Sequence, residues 1–186
     1  MGILNLKNTT ANKFIKNELK ADGSDKEFQV KIIKRVGVLA ELSLIQTYDF
    51  TKRLSKGLNL EPEDLKVCLF DPAGKGTAPD FYQYCSEKDF GLFGKIKSEA
   101  LNKFVHRDYD LLVNYCDPAL LFPKVIMLRS VAKMRAGFEN EANFFNDIAI
   151  NVSGNDIDGF NRELIKYLQI LKLIKGETII KPTYDF

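Results

Sequence analysis

Apolar residues along this chain occur in two patterns, short unbroken runs and stripes that repeat every three or four positions. Unbroken runs are typical of strands covered on both faces, and stripes indicate helices with one buried face. The runs predict strands at 34–42, 65–70, 109–116, 134–138 and 147–152, with an edge strand at 178–180. The stripes predict helices at 7–20, 47–56, 97–105, 118–133 and 156–174.

Strands and amphipathic helices alternate along the chain, which favours a parallel sheet with helices on both faces. We therefore predict an α/β fold, a single-domain three-layer Rossmann-like sandwich with a mostly parallel sheet of about five strands. The 186 residues suffice for one buried core. The predicted organisation is a basic N-terminal helical segment at 1–33, an α/β domain at 34–180 and a tail at 181–186.

A long stretch rich in glycine, proline and aromatic residues, 71–96, follows the second predicted strand. It contains Gly-Lys-Gly-Thr at 74–77, which resembles part of a phosphate-binding loop. Such a loop needs a further glycine five residues before Gly74, but Leu69 occupies that position inside the strand. The pattern therefore favours a surface loop over a nucleotide-binding loop.

Polar residues follow the predicted strands at the edge where their carboxyl ends meet. Asp71 follows the second strand, Asp117 follows the third, and Lys75 lies close enough in sequence to reach the same edge. Ligands of open parallel sheets bind beyond this edge, so these three are candidate ligand-binding residues for a nucleotide or a sugar phosphate. Turn formation and helix capping explain the same residues and are the simpler interpretation.

The net charge of +2 is unevenly distributed. Residues 1–60 carry eleven Lys or Arg against six Asp or Glu, whereas residues 61–186 carry sixteen against nineteen. A basic helix at the start of the chain is a candidate nucleic-acid-binding element, or a contact for an acidic partner. Its lysines are Lys7, Lys13, Lys16 and Lys20. A solvated lysine-rich helix is the simpler alternative.

The three cysteines, Cys68, Cys85 and Cys116, are widely spaced and odd in number, which is typical of reduced, buried thiols in a cytoplasmic protein. With His106 as the single histidine, the sequence predicts no metal site, and it predicts no cofactor. His106 lies beside a predicted strand and is interpreted as a loop residue rather than a catalyst. No apolar run is long enough to cross a membrane, so no membrane partner is expected.

Three segments together resemble an uncharacterised domain-of-unknown-function family of short α/β proteins typical of Bacteroidetes. They are Asp-Phe-Gly-Leu-Phe-Gly-Lys-Ile-Lys-Ser at 89–98, Tyr-Asp-Leu-Leu-Val-Asn-Tyr-Cys-Asp at 109–117 and Ala-Lys-Met-Arg-Ala-Gly-Phe at 132–138. The resemblance spans about residues 34–174. It implies a bacterial, cytoplasmic single-domain protein and transfers neither an activity nor catalytic residues.

A fainter similarity links the strand at 109–113, the helix ending at 128–130 and the strand at 132–138 to the N-terminal half of heptosyltransferase-like glycosyltransferases. Those enzymes hold their sugar nucleotide with a second Rossmann-like domain, for which this chain has no room. The similarity therefore implies the fold and leaves transferase activity in doubt.

Three functional hypotheses follow. The preferred one is a non-enzymatic cytoplasmic binding or protein-interaction domain, because no catalytic motif is present and a long aromatic loop lies beside the sheet. The second is an enzyme or sensor that binds a nucleotide or sugar phosphate through Asp71, Lys75 and Asp117. The third is an RNA-binding accessory protein that uses the N-terminal lysines.

Overall fold

One sheet of six strands forms the centre of the protein in a computed structural model, which describes residues 3–21, 30–139, 145–153 and 156–174. The strands are β1 (Val36–Glu41), β2 (Leu65–Asp71), β3 (Gln83–Ser86), β4 (Leu111–Asn114), β5 (Arg135–Phe138) and β6 (Ile148–Ile150). Every neighbouring pair is parallel, and the order across the sheet is β3-β2-β1-β4-β5-β6. The predicted α/β fold is confirmed, with one strand more than expected.

Helices cover both faces of this sheet. They are α1 (Ile3–Ala21), α2 (Phe50–Leu58), α3 (Glu99–Val105), α4 (Leu121–Arg129) and α5 (Ile157–Ile170). One hydrophobic cluster joins α2 and α5 to one face, and a second joins α1, α3 and α4 to the other. The predicted three-layer sandwich is therefore confirmed. Among the described helices, none is both long and apolar enough to span a bilayer.

The side chains of β1 divide between the two clusters, as expected for a central strand with both faces buried. Val38 belongs to the cluster under α2 and α5, and Leu39 belongs to the opposite one. At Gly37, a Cβ atom would come within 2.8 Å of the Leu112 side chain and 3.0 Å of the Tyr109 ring. The absence of a side chain at Gly37 thus leaves room for the Leu112 and Tyr109 side chains against the central strand.

Side chains cap the starts of α3 and α5. The Ser98 hydroxyl accepts the Leu101 backbone N–H at the start of α3, and Asp156 accepts the Gly159 N–H at the start of α5. The end of α2 differs from the prediction. The predicted helix ended at residue 56, but α2 continues to Leu58, and Asn59 in the left-handed conformation terminates it, since asparagine tolerates that backbone at small cost.

The segment 71–96 is the main departure from the sequence prediction. It holds β3 as well as short 3-10 helices at Glu87–Asp89 and Leu92–Gly94, where a loop was expected. β3 escaped notice because its four residues, Gln-Tyr-Cys-Ser, are partly polar and lie between Pro79 and Gly91. The predicted edge strand at 178–180 lies outside the described residues.

The N-terminal helix packs onto the body of the protein through α4 and the turn at Leu92–Gly94. The Arg129 guanidinium lies 4.3 Å from the centroid of the Phe14 ring and donates to the carbonyl oxygens of Phe93 at 3.0 Å and Gly94 at 2.7 Å. This arginine therefore joins α1, α4 and the turn in one contact.

A chain of side-chain hydrogen bonds lies beneath α2 and α5. The Tyr115 hydroxyl donates to Asn161 Oδ1, and Asn161 Nδ2 donates to the Tyr48 hydroxyl at 2.5 Å. All three residues are buried, and the rings of Tyr48 and Tyr115 both pack against Phe50. The polar atoms are thus paired inside an otherwise apolar layer.

Candidate functional site

Asp71 lies at the carboxyl end of β2 and is almost fully buried, with 7% of its surface exposed. Its carboxylate accepts the backbone N–H groups of Ala73 at 2.9 Å, Lys75 at 2.9 Å and Gly76 at 2.7 Å, and the hydroxyl of Tyr84 at 2.9 Å. Burial alone would raise the pKa of Asp71, but these hydrogen bonds outweigh it and lower the pKa to about 2.

The glycines of the Gly-Lys-Gly-Thr tetrapeptide serve this turn. Gly74 has a φ of +62°, and a Cβ atom at Gly76 would come within 2.3 Å of the Leu42 side chain. The N–H groups of Lys75 and Gly76 point at the Asp71 carboxylate, whereas in a phosphate-binding loop such groups surround a phosphate. The loop is therefore organised by an internal anion.

Asp117 and Lys75 lie at the same carboxyl edge as Asp71. The Asp117 backbone N–H donates to Glu41 Oε1 at 2.8 Å, and its carboxylate accepts the Ala119 N–H at 2.7 Å. The first of these bonds ties the end of β1 to the segment after β4. The side chains of Asp117 and Lys75 are exposed. Their role in ligand binding, and that of Asp71, stays a prediction.

The four N-terminal lysines differ in their surroundings. Lys7 is half-buried, donates to the carbonyl oxygen of Glu87 and lies 5.0 Å from the centroid of the Phe122 ring. Burial lowers its pKa, against an opposing effect of the Glu87 carboxylate. Lys7 thus anchors α1 to the protein. The others, Lys13, Lys16 and Lys20, are exposed, and nucleic-acid binding through them stays a prediction.

The remaining candidates occupy ordinary positions. His106 ends α3, and its Nδ1 lies 2.9 Å from the carbonyl oxygen of Asn102. Cys68, Cys85 and Cys116 are buried free thiols. Among the described residues, no group of histidine, cysteine and carboxylate side chains is arranged to hold a metal ion.

A cleft of about 480 Å³ opens at the side of the sheet, beside the first half of β2. We call it the lateral cleft. Its walls come from β2, the segment that leads into β3, the end of α3, and parts of α2 and the turn after it. It is lined by Thr51, Pro62, Leu65, Lys66, Val67, Asp80, Phe81, Tyr82, Gln83, Lys103, Phe104, Arg107 and Tyr109.

The lateral cleft lies along one edge of β2, where Lys66 is exposed and Leu65 and Val67 are buried. β3 pairs with β2 only from Cys68, opposite Gln83, to Asp71, opposite Ser86. On that side, Leu65–Val67 has no strand partner among the described residues. An unpaired strand edge presents backbone N–H and C=O groups that are ready to pair with another chain.

One residue that lines the lateral cleft, Tyr109, has a buried hydroxyl. Tyr109 is 1% exposed, its ring packs 5.3 Å from that of Phe104, and its hydroxyl has no hydrogen-bond partner among the described residues. Burial raises the pKa of Tyr109 well above its ordinary value, so the group remains a protonated donor at neutral pH. A buried donor without an acceptor is costly, and an acceptor from a ligand would satisfy it.

The rim of the lateral cleft is basic and carries an exposed aromatic residue. Lys66, Lys103 and Arg107 contribute positive charge, and among the described residues of the lining Asp80 is the one carboxylate. Lys103 forms an ion pair with Glu99 at 2.6 Å on its own helix. Phe81 is 78% exposed. An exposed phenylalanine beside an open, positively charged strand edge is typical of a contact surface.

Sequence reasoning missed the residues of the lateral cleft. Tyr109 stood at the start of a predicted strand, and Phe81 lay in the expected loop, so neither had a chemical signature. Leu65–Val67 lacks a strand partner on this side because of where β3 begins, which is a property of tertiary pairing. The alternation of Lys66 with apolar neighbours was the one available sign, because a fully covered strand rarely carries lysine.

The fold and the cleft thus define the class of this protein: it is a three-layer α/β sandwich with an open strand edge. The profile of a family of unknown function, DUF6913, matches residues 7–171, and the chain belongs to that family. The expected membership in a domain-of-unknown-function family is confirmed, and the match begins earlier than the expected residue 34 because it includes most of α1. No curated protein matches the chain. No solved structure matches it either, and the similarity to heptosyltransferases stays a prediction.

Proposed function

We propose that this protein is a non-enzymatic interaction domain whose lateral cleft binds an extended segment of a partner protein. The observation that carries the proposal is the open edge of β2 at Leu65–Val67. Extended segments bind such edges through main-chain hydrogen bonds, and neighbouring pockets take their side chains. Phe81, on the rim, supplies apolar contact area at the same place.

The composition of the cleft favours binding over catalysis. Nucleophilic and proton-transfer catalysis commonly rely on histidine, cysteine, serine or paired carboxylates. The lining in the described part of the chain contains none of the first three and a single carboxylate, Asp80. Cationic side chains, an aromatic rim and a strand edge are sufficient for recognition.

Site-specific photo-crosslinking in living cells tests this function. A benzoylphenylalanine is placed at Phe81 on the rim or at Tyr167, a 46%-exposed residue of α5 that serves as the matched control. We expect one discrete adduct from position 81 whose yield falls severalfold when Lys66→Glu is added, and none from position 167. An absence of adducts at 81, or equal adducts at both positions, would contradict the proposal.

A second candidate function is the binding of a small phosphorylated ligand at the carboxyl edge. The strand order β3-β2-β1-β4-β5-β6 supports it, because ligands of such sheets bind where the order reverses, here between β1 and β4. Lys75 and Asp117 are the available side chains. A thermal-shift screen with nucleotides and sugar nucleotides tests it: a ligand at one hundred times its dissociation constant adds about 2.7 kcal/mol of stability. No shift across the panel would refute it.

Nucleic-acid binding through Lys13, Lys16 and Lys20 is a further hypothesis, supported by their exposure on one helix. Its signature is an affinity for RNA that falls steeply with salt, since each neutralised phosphate releases counterions. Lack of binding at low salt would refute it.

We also propose a cytoplasmic location, on the ground that Cys68 and Cys85 lie 3.5 Å apart as free thiols. Fractionation of cells tests the location.

A further inference from the structure

We propose that the partner segment adds to the sheet as a short strand beside Leu65–Val67 and carries acidic side chains that meet Lys66 and Arg107. This inference rests on the proposed function and names the chemistry of the partner. It combines three features of the lateral cleft: an uncovered strand edge, an excess of positive charge and a buried hydroxyl without an acceptor.

The uncovered edge sets the length of the segment. β3 covers β2 from Cys68 onward, so a strand placed beside Leu65–Val67 lies in line with β3 and ends where Gln83 begins. At a rise of about 3.3 Å per residue, three residues of β2 offer room for about three to four residues of an added strand. The ends of the segment extend past the cleft, where Phe81 can contact them.

Charge sets the composition of the segment. Lys66 and Arg107 form no ion pair among the described residues, and Asp80 is the single carboxylate of the lining. A lysine on an open edge also discourages pairing between two copies of the chain, because the two lysines would repel each other. A segment with acidic residues turns that repulsion into attraction, so Lys66 selects against self-association and for an acidic partner.

The Tyr109 hydroxyl sets a third requirement. Tyr109 lines the cleft, and its buried hydroxyl has no acceptor among the described residues. A carbonyl or carboxylate oxygen of the bound segment would supply that acceptor. The bound state would then satisfy a group that the free protein leaves unsatisfied, and the hydrogen bond would add to affinity.

A peptide titration followed by NMR tests the inference. The probe is an acetylated, amidated hexapeptide of alternating glutamate and valine, added to the full chain labelled with ¹⁵N. We expect the largest shifts at the backbone amides of Leu65–Val67. A peptide with lysine in place of glutamate should bind at least about tenfold more weakly, because its charges repel Lys66 and Arg107.

Backbone pairing is tested separately from charge. N-methylation of alternate residues of the glutamate peptide removes ladder donors and keeps every side chain, so we expect it to abolish binding. Lys66→Glu and Arg107→Glu should each weaken binding about fivefold, and Tyr109→Phe about fivefold as well. Lys166→Glu, on the exposed face of α5, is the matched charge control and should change nothing.

Several outcomes would overturn the inference: shifts that lie elsewhere, equal binding of the N-methylated peptide, or tighter binding of the lysine peptide. Preferential binding of a hexauridylate at the same amides would also overturn it, in favour of nucleic acid. If the glutamate peptide does not bind but position 81 still gives a Lys66-dependent adduct, this inference is wrong and the proposed function stands. Failure of the adduct would sink both.

Discussion

The carboxyl edge and the lateral cleft share strand β2 but treat their polar groups in opposite ways. At the carboxyl edge, the Asp71 carboxylate accepts four hydrogen bonds from its own loop and from Tyr84. In the lateral cleft, the Tyr109 hydroxyl and the edge of Leu65–Val67 have no partner of that kind among the described residues. The polar groups at the carboxyl end of β2 thus have partners, whereas the first three residues of β2 have no strand partner on the side of the cleft.

The difference separates architecture from binding. A polar group whose hydrogen bonds are all made within the chain stabilises the fold and gains little from a ligand. A buried donor without an acceptor, or a strand edge without a neighbour, gains free energy when a ligand pairs with it. The conspicuous Gly-Lys-Gly-Thr sequence thus stabilises the fold at the carboxyl edge. Tyr109, which has no recognisable motif, belongs to the proposed binding surface in the lateral cleft.

Asp71→Ala should have the largest effect on stability. The substitution leaves three backbone N–H groups and the Tyr84 hydroxyl without their common acceptor. Hydrogen bonds to a charged group are each worth about 1.5–3 kcal/mol, with partial replacement by water at the exposed loop, so we expect a loss of about 3 kcal/mol. Urea denaturation measures it. Asp80→Ala, in the same loop segment, should stay within about 0.5 kcal/mol. Equal effects of the two variants would show that Asp71 is not the organising group.

Asn161→Ala should have the next largest effect. Asn161 links the hydroxyls of Tyr115 and Tyr48 beneath α2 and α5, and its removal leaves both without that partner. The expected loss is about 2 kcal/mol, measured by the same denaturation. Arg162→Ala, the exposed neighbour on α5, is the control and should change the free energy of unfolding by less than about 0.5 kcal/mol.

Acid should weaken the carboxyl edge in a defined range of pH. The pKa of Asp71 is about 2 in the folded protein, below the ordinary value of 3.8. A lowered pKa stabilises the fold above pH 3.8, and this contribution disappears as the pH falls towards 2. The stability difference between the protein and Asp71→Asn should therefore shrink across that range. A constant difference would mean that the charge of Asp71 has no part in stability.

Features that depend on residues close together in the sequence could be predicted, and features that depend on tertiary contacts could not. Unbroken apolar runs predicted β1, β2 and β4 because both faces of those strands are buried, and apolar stripes predicted the helices α3 and α5. The sequence also placed Asp71 and Asp117 at one edge. It could not show that the Asp71 carboxylate accepts hydrogen bonds from its own loop, because those bonds depend on the path of the chain from residue 72 to residue 76.

The lateral cleft was beyond prediction for a related reason. Its open edge exists because β3 begins to pair with β2 only at Cys68. No sequence pattern between residues 72 and 82 indicates the residue of β2 at which this pairing begins. The docking of α1 was equally hidden. It depends on Arg129 reaching both Phe14 and the carbonyls of a turn that are distant in sequence.

Thermal unfolding of Tyr109→Phe, with and without the glutamate-valine peptide, tests most directly whether an unsatisfied polar group identifies the binding surface. Without peptide, the variant should be more stable than the original protein by about 1 kcal/mol, because it removes a buried donor that has no acceptor. With saturating peptide this advantage should disappear, because the fivefold weaker binding expected of the variant corresponds to about 1 kcal/mol. A variant that is less stable in both conditions, or that keeps its advantage with peptide bound, would contradict the account.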